Sequence, residues 1–348
     1  MALCTCLTGV VLSVPAGCRT APRVPPQSDV TAARGQALAC LRLGVQYRHN
    51  PAVRAEAVEA YETVAGDEGL PWLRLALLDD HPAVRFAACV VLGVRQDRVA
   101  LAALQQRLDD ADPSVRVAAR FALHRLGDDR RTGEIPTYLL DHEDAAVRRN
   151  AALVLGRFAP PEKPNQPSGL VKVLAKAMRD RDPGVQQHAL EAMARLGLPE
   201  ARQQLRFLAN SGVGAEEVFA LNALAETRDR SCAELFRSKL ATATHIETRL
   251  AAARGLGLLG FDDGLGLAVQ ATRYSQPRRD EPDDPPGQQI LRVRQLALVA
   301  LGGIGSPAAL PTLTQVMHDN SDPRVQVAAA RAILEITDRE AKSIAFAS

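Results

Sequence analysis

Apolar residues recur along this chain with the period of an amphipathic helix. In the segment 112–127, Val115, Ala118, Ala119, Ala122, Leu123 and Leu126 fall at i, i+3, i+4, i+7, i+8 and i+11, one continuous apolar stripe. Asp112 stands where an N-cap accepts the first free backbone N–H groups, Pro113 takes the first helical position, and Gly127 ends the helix. The leading valine of this unit, or a substitute, returns at Val53, Val84, Val115, Val147, Val185, Val218, Thr248, Val293 and Val325, most often about 31 residues apart. The residue three places earlier is Asn50, His81, Asp112, Asp144, Asp182 or Asp322 in the six clearest copies, and proline follows it in five. Upstream of the copies lie second apolar runs of one helix length, at 70–78, 99–108, 170–178 and 310–317. One capped helix cannot bury its stripe alone, so each unit reads as a helical hairpin that packs on the next.

The string Asp-Pro-x-Val-Arg-x-Ala-Ala followed by Leu-Gly, present at 112–127 and nearly so at 81–93, resembles the short HEAT-like repeats of phycocyanobilin lyases and of many bacterial proteins. The resemblance covers residues 34–338. With the periodicity it implies an all-α, right-handed α-solenoid of about nine stacked helical hairpins forming one elongated domain. The copy around Val218 departs from the pattern, with Ala215 and Glu216 in place of cap and proline, which leaves a kink, a weak spot or another register open there. The arginine after the leading residue recurs at Arg54, Arg85, Arg116, Arg148, Arg249 and Arg294. In HEAT-like families the matching arginine pairs with the acidic turn of a neighbouring repeat, which implicates Asp112, Asp144 and Asp182; Asp322 completes the set of acidic caps. The alternative is a row of guanidinium groups that grips carboxylates or phosphates of a ligand.

The N-terminus breaks the repeat pattern. Residues 1–17 carry no charge and include an apolar run of signal-peptide length that stops at Ala16-Gly17-Cys18. This resembles a lipoprotein signal with a lipid-bearing Cys18, followed by a flexible tether over 18–33. Pro15 and the lack of a preceding Lys or Arg depart from that pattern. Two proline-rich inserts, 159–167 and 275–287, are expected as surface loops, and 339–348 as a short tail.

Composition narrows the functional classes. A formal charge of +2 gives no general case for nucleic acid, and 4% aromatic residues argue against a large ligand-enclosing core. Cys40, Cys89 and Cys232 fall in different repeats and read as buried small hydrophobes. The histidines show no metal-ligand spacing; His81 and His245 occupy capping positions, and the lone His142-Glu143 pair stands at a turn, unlike the several helical pairs of HEAT-like deoxyhypusine hydroxylases. Glycine-rich 255–260 ends a helix and lacks the strand that a dinucleotide site requires. The sequence thus leads to a non-catalytic protein-interaction scaffold in a bacterial envelope. It would have an unknown protein partner, membrane contact through the lipid only, and no cofactor or metal. A chromophore lyase or chaperone is the alternative, as is an intracellular nucleic-acid binder, which would need Arg85, Arg116, Arg120, Arg148 and Arg149 on one exposed face.

Overall fold

The computed structural model describes residues 26–158, 169–211, 214–278 and 282–347. Segment 1–17, Cys18 and the insert 159–167 lie outside them. Eighteen α-helices and no β-strand are found among the described residues. The inner helices are α2 (Pro51–Ala60), α4 (Pro82–Val94), α6 (Pro113–Arg125), α8 (Ala145–Leu155), α10 (Pro183–Arg195), α12 (Ala215–Glu226), α14 (Ile246–Leu258), α16 (Pro286–Ile304) and α18 (Pro323–Ala347). Their outer partners are α1 (Gln27–Val45), α3 (Leu70–Ala76), α5 (Leu101–Gln106), α7 (Ile135–Asp141), α9 (Gly169–Ala177), α11 (Pro199–Ser211), α13 (Ala233–Thr242), α15 (Leu265–Ala271) and α17 (Leu310–Asp319).

The inner helices start where caps stand. Asn50, His81, Asp112, Asp144 and Asp182 each accept from a backbone N–H of the first turn; Asp112 takes two, from Ser114 and Val115 at 2.8 and 3.2 Å. Asp322 accepts from the Arg324 N–H at 3.0 Å. His245 holds the cap position of α14 without capping it; its ring contacts the Arg278 guanidinium instead. Five inner helices stop in one way, with a left-handed residue two places beyond the last helical one: Gln96, Gly127, Gly197, Arg228 and Gly260. Counting back twelve residues from each returns Val84, Val115, Val185, Glu216 and Thr248. In the sixth unit the count falls on Glu216, which is exposed where the other four residues are buried, so α12 departs from the pattern at its start and Val218 does not keep the usual distance to the stop.

Small side chains on the inner layer let its helices come close. A methyl group added at Gly93 of α4 would lie 2.6 Å from the Ala122 Cα of α6. Consecutive inner helices pack side by side from α2 to α18, each backed by its outer partner. The series does not end open: α18 packs on α2, and α1 on both. The seam is polar as well as apolar. Arg34 Nε of α1 donates to the buried Asp338 of α18 at 2.9 Å, and Asp338 also accepts from the Ala65 N–H at 2.6 Å. Nine hairpins close into a ring.

Two boundaries move. Helix α1 begins at Gln27, not near 34, because Pro26 and Asp29 suit a helix start and Val30, Ala33, Ala37 and Leu41 form a buried stripe. Helix α18 continues through the expected tail at 339–348, since Thr337 occupies the place where other units carry a left-handed residue. That continuation carries Asp338 into the seam.

Candidate functional site

Three of the six repeated arginines are held in two-pronged ion pairs inside the fold. Arg148 makes a two-pronged contact with Asp180 at 2.8 Å for both nitrogens and donates to the carbonyls of His142 and Glu143. Arg54 does the same with Asp79, adding Asp80, and Arg85 with Asp110. The acids are not the caps Asp112, Asp144 and Asp182 but residues five places before the next unit's leading residue. There each also accepts the backbone N–H two residues on, as Asp110 does from Asp112 at 3.0 Å. Arg116, Arg249 and Arg294 face His142, Gln288 and Asn320 at that position, and turn instead to Tyr138 Oη with the Asp110 carbonyl, to the Leu240 carbonyl and to the Tyr274 carbonyl. Arg54, Arg85 and Arg148 thus tie each turn to the next, while Arg249 and Arg294 use only Nε, on carbonyls of their own hairpins. The sequence signal was the Asp-x-Asp/His-Pro string.

The other arginines singled out for nucleic acid are equally engaged. Arg120 is buried against Glu134, and Arg149 pairs with Asp182 at 3.2 Å. The three cysteines among the described residues, Cys40, Cys89 and Cys232, are free thiols; burial pushes Cys40 up to about 11 and raises Cys89 and Cys232 too, which keeps them protonated at neutral pH.

Ring closure creates a site that no single repeat contains. Where the inner helices end, a chamber of about 570 Å³ is lined from seven of the nine units. Arg157, Arg195, Arg228, Arg254, Arg331 and Arg339 line it against Glu62, Glu226, Glu335 and Asp338, with Leu258 and Val299 as apolar wall. Arg157 reaches across from α8 to Glu62 at 2.7 Å, joining the fourth unit to the first. Glu226 receives both Arg195, at 3.7 Å, and Arg254. Arg331 Nε donates to Glu335 at 2.9 Å. Arg339 gives its donors to the terminal carbonyls of α16 at Gly302, Gly303 and Ile304, orphan acceptors that any helix end leaves. Among the described residues, no aromatic ring lines the chamber.

Sequence comparison gives these repeats their family. HEAT repeats are matched over residues 43–124, 134–220 and 290–346. The chain is a HEAT-repeat protein. Its HEAT repeats resemble several solved structures. One is the complex of CpcE and CpcF of phycocyanin lyase from Nostoc, at 18% identity over 83% of this chain and 98% of that one, TM-score 0.39. Another is human deoxyhypusine hydroxylase in complex with glycerol, at 19% identity over 79% and 97%, TM-score 0.37. YibA of Escherichia coli matches at 16% identity over 79% and 94%, TM-score 0.34. No curated protein matched the sequence significantly. Among the described residues, no group of three or more His, Cys, Asp or Glu side chains is placed to hold a metal ion.

The second proline-rich insert is a built part of this HEAT ring. Arg278 Nη2 donates to the buried Glu247 at 2.8 Å, Arg292 pairs with Asp284 at 2.7 Å, and Gln289 donates to the Asp284 carbonyl, so the loop is fastened over the starts of α14 and α16. Charged residues scattered through 245–292 concealed this. Nothing in their local spacing marks them as partners.

Proposed function

We propose that this HEAT-repeat ring is a non-catalytic binding scaffold for a protein partner, held at a bacterial membrane by a lipid on Cys18. One observation carries the scaffold reading: apart from Phe207 on α11, the large apolar side chains left in solvent among the described residues gather on one part of the outer layer. Leu43, Leu75, Leu78, Val99 and Leu101 are all exposed, at 38–73% of their surface, on or beside α1, α3 and α5. Apolar area exposed on consecutive outer helices is stabilised by a covering partner, and it suits a protein surface better than a phosphate backbone. The charged side chains of the ladder hold the repeats together and leave this face free to vary.

The tether supports the same reading. With α1 beginning at Gln27, the chain from Cys18 to the ring spans at most about 30 Å even when fully extended, so a lipid there would keep the first hairpins close to the bilayer surface. No helix among the described residues is long and apolar enough to cross a membrane.

The test places a photo-crosslinking residue at Leu75 or Val99 in cells, with Glu234 on α13 as the control position. Crosslinks to one protein from the first two sites and not from Glu234 support the scaffold. Equal crosslinking from all three, or none, sinks it. Intact mass of the membrane fraction tests the anchor separately: a chain beginning at acylated Cys18, and a Cys18→Ala variant without acyl mass, are expected.

A further inference from the structure

The central chamber has an excess of positive charge, and its two surplus guanidiniums can be named. Six arginines line it against four carboxylates. Each of the four acids is already taken: Glu62 by Arg157, Glu226 by Arg195 and Arg254, Glu335 by Arg331, and Asp338 by Arg34. That leaves Arg228 and Arg339, and neither has a carboxylate within ion-pair distance among the described residues. The pKa of Arg339 is lowered chiefly by burial; Glu335 pulls the other way, and Arg228 adds a smaller repulsion that also disfavours its charge. Glu59 is a further buried acid close to these arginines. Burial pushes its pKa up, and the cations that attract it are Arg331 and Arg157.

Arginines near helix ends often serve to cap carbonyls, and Arg339 does this for α16. Arg228 does not. Its guanidinium has no hydrogen-bond partner among the described residues, and its backbone is held at φ +52°, the left-handed conformation that Gln96 shares and that Gly127, Gly197 and Gly260 supply in equivalent turns. A side chain at that position is strained and repels its neighbour. An outlier of that kind, aimed into a cavity, points toward a ligand.

We propose that the chamber seats a small multivalent oxyanion, a phosphate or carboxylate compound, clamped between Arg228 and Arg339. Guanidinium forks fit both oxygen geometries, and the volume suits a metabolite-sized molecule. The anion would neutralise the surplus charge and relieve the repulsion, and it would link the sixth unit, which carries Arg228, to the ninth, which carries Arg339, across the chamber.

Calorimetric titration of the full chain at low ionic strength, with pyrophosphate and with citrate as probes, tests this. Binding of either probe in the millimolar range or tighter, weakened about tenfold or more by Arg228→Gly, is the expected result. The stronger of the two probes identifies the oxyanion class. Arg228→Gly should melt no lower than the parent without ligand, since glycine relieves the left-handed turn, so lost binding could not be ascribed to unfolding. Arg339→Gln should weaken binding likewise. Absence of binding by both probes, or binding unchanged in Arg228→Gly, overturns the proposal.

Discussion

Asp110 shows how much one side chain of the ladder carries. It takes both prongs of Arg85, accepts from Arg107 at 3.2 Å, and closes its own turn through the Asp112 N–H. Burial pushes its carboxyl upward, yet these donors outweigh burial and hold it below the ordinary range; Asp180 is lowered chiefly by the hydrogen bond from Arg148. A carboxyl whose folded pKa is depressed adds stability above its unfolded value and loses it as pH falls through the folded one. Stability should therefore decline below about pH 4. Arg148→Ala should cost about 3 kcal/mol at neutral pH, because it strands Asp180 and two loop carbonyls in a half-buried site. Urea unfolding at pH 7 and pH 3 checks both points: the loss caused by Arg148→Ala should shrink at the lower pH, where Asp180 no longer needs its partner. An equal loss at both pH values would mean that packing of the arginine stem, and not the ion pair, matters there.

Among the elements, helices with a cap, a one-sided stripe and a glycine stop were legible from sequence, and α6 and α10 show why: each signal is local and all of them agree. Helix α12 departs from the repeat pattern because Phe219, Ala220, Leu221, Ala223, Leu224 and Ala225 are apolar nearly all round, so a stripe can be laid at more than one rotation. Only its stop fixes the register, and there Arg228 stands in place of glycine. The ladder's acids were misplaced by two residues for a related reason. Asp110 and Asp112, or Asp180 and Asp182, flank a single residue, and composition alone does not say which carboxylate caps the helix and which faces the arginine. Close approach of neighbouring helices is the element-scale feature most exposed to test. Gly93→Ala should cost about 1–3 kcal/mol, since the added methyl meets backbone of α6 and not a movable side chain. Thermal unfolding of the variant should show this, whereas Gly127→Ala would fail for a different reason, its positive φ.

Closure of the ring belongs to the molecule as a whole, and no repeat announces it. Residues 34 and 338 stand 304 apart in sequence, and nothing in either segment's periodicity says that the two ends meet. Closure follows instead from the turn accumulated per hairpin, about 40° if nine share a full circle, a quantity fixed by small differences in packing at every interface. The seam then adds its own chemistry. Asp338 is buried, bridges Arg34 and the Ala65 N–H, and Arg34 returns a hydrogen bond to the Ala65 carbonyl at 3.0 Å and an ion pair to Glu68. Removing the carboxylate with Asp338→Ala strands a guanidinium and an N–H at once, at a cost of about 3 kcal/mol concentrated at the seam. Open repeat arrays fray from their ends because terminal units have one neighbour, while in a ring every unit has two. The parent should accordingly melt in one transition, and Asp338→Ala should show an earlier one from α1, α2, α17 and α18. Small-angle scattering should report a larger radius of gyration for the variant under native conditions. An unchanged radius together with a single transition would show that the apolar packing of α1 on α18 holds the ring without the ion pair, and that the chamber stays closed whatever happens at Asp338.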